Sequence, residues 1–241
     1  AGLDARNGNS NSTGTNADNP ELRFGSGASI VAGASADLTA SASSIAGTVT
    51  AEAGNTSGTA QGLGSGDDLD VVGFASDGLV QSGDSLSLTA EADVDLDASG
   101  SSTNGAATAL SESGDVIGLL SEDLVAGTMA TLSTAADQVN TATADSIDAS
   151  ATATANAGDN VAFRSTDQML VGVDADVTGN ADLSLDATAT TVGDGSGADV
   201  ATASSGSEAT ENIGLGLDGG ATTIGRDGRL VGLAEQTTNT E

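Results

Sequence analysis

Thirteen consecutive residues, Leu86 to Ala98, read LSLTAEADVDLDA, with apolar and polar side chains in strict alternation. A period of two sorts side chains onto the two faces of an extended strand, which a helix cannot do. The same alternation runs through LTASAS from Leu38, TVTAEA from Thr48, SATATANA from Ser150 and LSLDATATT from Leu183. No stretch shows a convincing 3.6-residue pattern, and 34 glycines would interrupt any helix. The chain is therefore expected to be all-β.

The apolar face of these segments is mostly alanine. Leu, Ile, Val and Phe together number 46 of 241 residues, a fraction that ordinarily predicts disorder in a chain of net charge -30. Alanine and glycine fill space only where backbones come close. A narrow coil of strands, each turn hydrogen-bonded to the next, supplies that closeness and satisfies the interior backbone groups. The expected fold is a β-solenoid. The alternative is a pair or more of small β-sandwiches, which would need cores built with three Phe and no Trp or Tyr.

One pattern recurs along the chain: an apolar-x-apolar step, then Ser or Asp, then an apolar pair and usually Gly. It appears as FGSGASIVAG, VGFASDGLVQSG, IGLLSEDLVAG, VAFRSTDQMLVG and TIGRDGRLVG. The valines of these stretches, Val31, Val80, Val125, Val171 and Val231, are spaced by 49, 45, 46 and 60 residues. Three intervals near 46 and a fourth longer by about 15 suggest a structural step of about 15 residues. On that step residues 22–241 would make roughly 15 coils, a rod of about 70 Å. Residues 1–21, rich in Asn, Gly, Ser and Thr, are expected to be an extended or flexible arm.

Composition excludes much chemistry. His, Cys, Lys and Tyr are absent, so the usual general bases and activated nucleophiles are missing and a Ser-His-Asp triad is impossible. Paired carboxylates are abundant, but a glycan cleft would also need aromatic platforms. The chain is expected not to be an enzyme. Five arginines against 35 acidic residues oppose nucleic acid binding. No apolar run is long enough for a membrane span. A start at Ala1 rather than Met fits removal of a signal peptide, and hence a secreted or cell-surface protein.

Calcium is the one cofactor the sequence leaves open. GSGDDLD, with Asp67, Asp68 and Asp70, and GDGSGAD, with Asp194 and Asp199, resemble fragments of the glycine–aspartate turn of calcium β-rolls. Neither stands in a strict nine-residue tandem. Asp93, Asp95 and Asp97 share one face of a strand and read most simply as a solvated acidic face. Pairs of threonine at Thr48 and Thr50, Thr141 and Thr143, and Thr188 and Thr190 raise ice binding as another use of a flat β face, although the β-propensity of threonine explains them as well.

DVIGLLSEDLVAG and TTIGRDGRLVG resemble the apolar-Ile-Gly turns in the solenoid heads of trimeric autotransporter adhesins. More broadly, repeats rich in Ala, Thr, Gly and Asp and poor in aromatics resemble subunits of bacterial surface fibres. The resemblance covers the repeat grammar alone. It implies a secreted solenoid that either adheres or assembles.

The repeat begins at Leu22 and Phe24 and stops ten residues past Val231, with no recognisable polar cap at either end. An uncapped coil is a template for another chain. The expectation is head-to-tail stacking of identical copies into an extracellular filament, a heterologous contact that does not close. Leu22, Arg23 and Phe24 would meet Arg226, Arg229, Leu230, Val231 and Leu233, with Leu230, Val231 and Leu233 forming one apolar face. The arginines would offset repulsion between acidic bodies. Copies of itself, and possible cations, are the expected partners; an adhesin or ice-binding module is the alternative.

Overall fold

A computed structural model describes residues 22–54, 70–193, 200–207 and 211–241. The described residues wind through five layers. The first holds β1 (Leu22–Phe24), β2 (Ser29–Ala46) and β3 (Val49–Gly54); the second holds β4 (Val71–Ser82), β5 (Ser87–Asn104) and β6 (Ala107–Glu112). The third holds β7 (Val116–Ala126), β8 (Thr131–Ser146) and β9 (Ala151–Ala157). In the fourth, β10 (Asn160–Ser165) and β11 (Met169–Val171) precede β12 (Asp176–Thr191) and β13 (Ala201–Ser207). The fifth holds β14 (Asn212–Ile213), β15 (Gly216–Leu217), β16 (Thr222–Ile224) and β17 (Arg229–Thr240).

Equivalent strands of successive layers pair in parallel, giving three sheets. The leading sheet is β1, β4, β7, β10 and β11, then β14 to β16; the long sheet is β2-β5-β8-β12-β17; the short sheet is β3-β6-β9-β13. The fold is thus all-β with parallel sheets, the strand arrangement of a β-solenoid. No described residue lies in an α-helix, and tandem antiparallel sandwiches are excluded for the described residues by the parallel pairing.

Register corrects the expected coil length. Ser87 pairs with Thr131, 44 residues on, and Thr131 pairs with Asp176, 45 residues on. One turn of the coil is therefore 44 or 45 residues in these layers, close to the intervals near 46, and the step of about 15 residues corresponds to no layer. The two longer intervals, Ser29 to Ser87 and Asp176 to Arg229, contain residues 55–69 and residues 194–199 and 208–210, which lie outside the described residues. The five valines are not one column. Val80 pairs with Leu124 in the leading sheet, whereas Val31 and Val231 belong to the long sheet beside Thr89 and Thr178. The 60-residue interval from Val171, which lies beside Ala126 in the leading sheet, to Val231 therefore joined two different places in the coil. Likewise, DVIGLLSEDLVAG is the strand β7, whereas TTIGRDGRLVG crosses a corner from β16 to β17.

The long sheet faces both others. Its first half packs against the leading sheet around Leu88, Leu132, Val177, Phe74, Leu119 and Phe163. Its second half packs against the short sheet around Val94, Leu96, Leu185 and alanines such as Ala109 and Ala153. Between these clusters the sheets nearly touch. A Cβ on Gly118 would lie 2.4 Å from the Ala135 carbonyl oxygen, and one on Gly73 would lie 2.4 Å from that of Glu91. Only glycine fits there, and the core is pinched into two lobes. This is how a chain so poor in large apolar residues builds a core: small side chains sit where layers are closest.

Corners are built for stacking. At the turn entering the long sheet, Gly27, Ser85, Met129, Asp174 and Asp227 all have φ between 53° and 70°. Each turn bonds the next: Gly27 N–H donates to Asp84 O at 2.8 Å, Ser85 N–H to Thr128 O at 2.8 Å, Met129 N–H to Val173 O at 2.9 Å and Asp174 N–H to Arg226 O at 3.1 Å.

Candidate functional site

Two features stand out from the repeat: an acidic column on the outer face of the long sheet, and the edges of the first and last layers, which no described strand covers. The column follows from register. Asp93, Asp137, Asp182 and Glu235 are successive partners on β5, β8, β12 and β17, all on the outward side. Neighbouring strands are about 4.8 Å apart, so like charges stack directly. A groove of 380 Å³ runs along them, lined also by Val139 and Thr237. Partial burial, then the negative charges of Asp182, Asp93 and Glu91, hold the Asp137 carboxyl above the usual aspartate range. Its Oδ1 is buried without a hydrogen-bond partner.

Among the described residues, no group of three or more acidic side chains is arranged to hold a metal ion. Of the calcium candidates, Asp67, Asp68, Asp194 and Asp199 lie outside the described residues. Asp70 is exposed, and its carboxylate accepts the N–H of Asp115 at 2.9 Å. That bond is the first rung of a corner ladder: Asp115 accepts from Asp159 N–H, and Asp159 from Glu211 N–H, each at 2.9 Å. Asp70 thus acts as a structural cap. Spacing of 45, 44 and 52 residues between these acids could have found the ladder, had the true coil length been known.

The three threonine pairs do not all share one face. Thr50 belongs to a column on the short sheet with Thr108, Thr152 and Thr202. Thr141, Thr143, Thr188 and Thr190 lie outward on the long sheet.

At the first layer, Leu22 and Phe24 are half-buried against the leading-sheet core, and the Phe24 and Phe74 ring centroids are 6.4 Å apart. Arg23 is exposed between them. At the last layer, Arg226 pairs with Asp227 of its own turn at 3.6 Å, and Arg229 Nη1 lies 3.5 Å from Asp176 Oδ2. Leu230, beside Val177, points inward and packs on the core. Val231 and Leu233, beside Thr178 and Asn180, point outward, and Leu233 is 58% exposed. The expected single apolar face of Leu230, Val231 and Leu233 is therefore divided between two faces, because alternation separates residue 230 from 231 and 233.

No family model, curated protein or solved structure matches the chain. Function must be read from the edges themselves. Among the described residues, β2 pairs only with β5 and β17 only with β12. The β2 edge is 18 residues long, contains no Pro and has Asp37 as its one charge. The β17 edge is 12 residues long, with Arg229 and Glu235 as its charges. Neither carries the prolines, bulges or charge density that discourage strand addition. The one arginine amid the layers, Arg164, is engaged by Glu211 at 2.5 Å, Asp218 at 3.1 Å and Asp159 at 3.8 Å.

Proposed function

We infer that the chain is a structural subunit of an extracellular filament. It is a secreted solenoid to which further copies add head to tail. The observation that carries this is the pair of long, weakly protected parallel edges, β2 and β17, at opposite ends of one stack. Inward positions at both ends lack the cover their equivalents have. Ile30, Ala34, Ala36 and Leu38 are half-buried on β2, where Leu88, Ala92, Val94 and Leu96 are buried on β5. A parallel strand laid on either edge would bury these positions and pair the outer main-chain groups. The two edges are different surfaces, so their contact is heterologous and repeats without closing. No described helix is long and apolar enough to cross a membrane.

The test is negative-stain electron microscopy with analytical ultracentrifugation over a range of protein and salt concentrations. Unbranched filaments that lengthen with concentration are expected. A species that stays monomeric throughout, at salt high enough to screen its charge, would remove the reading.

A further inference from the structure

Resting on the head-to-tail reading, we propose that copies join in a single register, with the Gly225–Gly228 turn of one copy seated on the Gly25–Ala28 turn of the next and Val231 beside Val31. The decisive residue is Gly25. Gly25, Gly83, Gly127, Gly172 and Gly225 open the same corner in the five layers. Four of them are glycine for an evident reason. A Cβ on Gly83 would lie 2.6 Å from Ser26 N, one on Gly127 2.6 Å from Gly83 O, one on Gly172 2.6 Å from Gly127 O and one on Gly225 2.8 Å from Gly172 C. Each would strike the backbone of the layer before it. A Cβ on Gly25 would meet none of the described residues within 4 Å, and its φ is not positive. Against the described residues of its own chain, any residue would fit there. It meets the requirement of its column only if another layer precedes it.

The rest of the junction agrees. The turn bonds end with Asp227, whose N–H is placed to continue the series to Ser26 O of the next copy, as Asp174 N–H does to Arg226 O. Asp227 and Gly27 both have positive φ, 57° and 70°, so the two turns have the conformation that stacks elsewhere. Inward positions then meet inward positions: Leu230 lies beside Ile30, Ala234 beside Ala34 and Ile224 beside Phe24. On the outer face, Glu235 falls beside Ser35 and Asp37 beside Thr237, so the acid-on-acid stacking of the interior stops at the junction. Sliding one copy by two residues preserves the alternation but sets Glu235 against Asp37 and misaligns the turns.

The absence of cysteine allows a direct test. Val31 and Val231 are four strand spacings apart within a chain, about 19 Å, beyond the reach of a disulfide. Across the junction they would be neighbours at about 4.8 Å, within reach. A chain carrying Val31→Cys and Val231→Cys, oxidised under assembly conditions, should give a ladder of linked multimers on a non-reducing gel. Val31→Cys with Leu233→Cys should give none. Adding Gly25→Ala to the first pair should abolish the ladder and leave the monomer's melting temperature unchanged. An equal or stronger ladder from the shifted pair overturns the register and leaves head-to-tail assembly standing. Linked dimers from either single cysteine variant reveal head-to-head or tail-to-tail pairing and overturn it. So does a Gly25→Ala chain that still ladders, or one that melts earlier. Filaments absent from the parent chain, with no ladder from either pair, bring down the head-to-tail reading as well.

Discussion

The Asp70 carboxylate accepts the main-chain N–H of Asp115, one layer further on, at 2.9 Å. Asp115 repeats the contact with Asp159, so a single side chain accepts from the following layer while its own N–H is held by the preceding one. Asp115→Ala should remove an acceptor from a corner N–H that no ladder bond satisfies. The expected loss is about 1–2 kcal/mol in urea denaturation. Asp115→Asn, which keeps an oxygen in place, should lose less than half as much. Equal losses from both would mean that the negative charge, and not the hydrogen bond, matters.

The acidic column predicts a pH effect of definite sign. The Asp137 carboxyl titrates above its ordinary value, first from burial and then from its charged neighbours. The folded protein therefore takes up this proton more readily than the unfolded chain, and the resulting stability is present at low pH and lost as pH rises through the carboxylate range. Asp137→Asn should be more stable than the parent at pH 7, and the difference should shrink as the pH falls below the folded value. Denaturant midpoints of both chains at several pH values check this, since the other carboxylates cancel in the difference.

A polar layer interrupts the apolar core. Gln138 and Asn140 are fully buried between Val94 and Leu183 and between Leu96 and Leu185. Gln138 donates to Ser113 Oγ at 2.5 Å and Gly114 O at 3.0 Å; Asn140 donates to Ser113 Oγ at 2.6 Å and to the Asn156 carbonyl. Ser113→Ala should cost about 1–3 kcal/mol, because two buried amides lose an acceptor. Adding Gln138→Leu and Asn140→Leu should recover that loss, since the orphaned Oε1 and Oδ1 disappear with their donors. Thermal melting of the single and triple variants decides it; a triple variant less stable than Ser113→Ala would show that the polar layer positions the fold.

Net charge of -30 sets the fourth expectation. Stacked like charges at strand spacing are screened only when the Debye length falls to a few ångströms, about 10 Å at 0.1 M and about 3 Å at 1 M salt. The melting temperature should climb from 0.01 M to 1 M NaCl in the presence of a chelator. A flat profile would show that the acidic column is already neutralised, by protons or by bound cations.

How much of this was legible in the sequence can be traced to particular residues. Alternation at Leu86–Ala98 gave the strand and its inner face, because those depend on neighbours along the chain, while the close stacking of turns was argued from a face made mostly of alanine. Coil length did not come through. It depends on which strand lies beside which, and a face written in Ala, Thr and Asp looks the same after a shift of two residues. Val31 and Val231 were therefore grouped with Val80, although they occupy a different sheet. The corner glycines carried the true register all along: Gly83, Gly127 and Gly172 are 44 and 45 residues apart, and a residue forced by close backbone approach is a firmer marker than an interchangeable aliphatic. Asp137 was invisible as a special group because its environment comes from Asp93 and Asp182, each a whole layer away.

A turn of 44 residues also fixes how such a protein responds to force. Ladder bonds run along the stacking axis, while the covalent chain steps from one layer to the next once per turn. Tension along the axis is borne by the bonds of a single layer boundary, and when that boundary yields one whole layer is released. Pulled straight, 44 residues span about 150 Å, against about 4.8 Å of rise in the folded stack. Such a layer is a coiled reserve of length roughly thirty times its own thickness, and extension proceeds in large steps, one layer at a time.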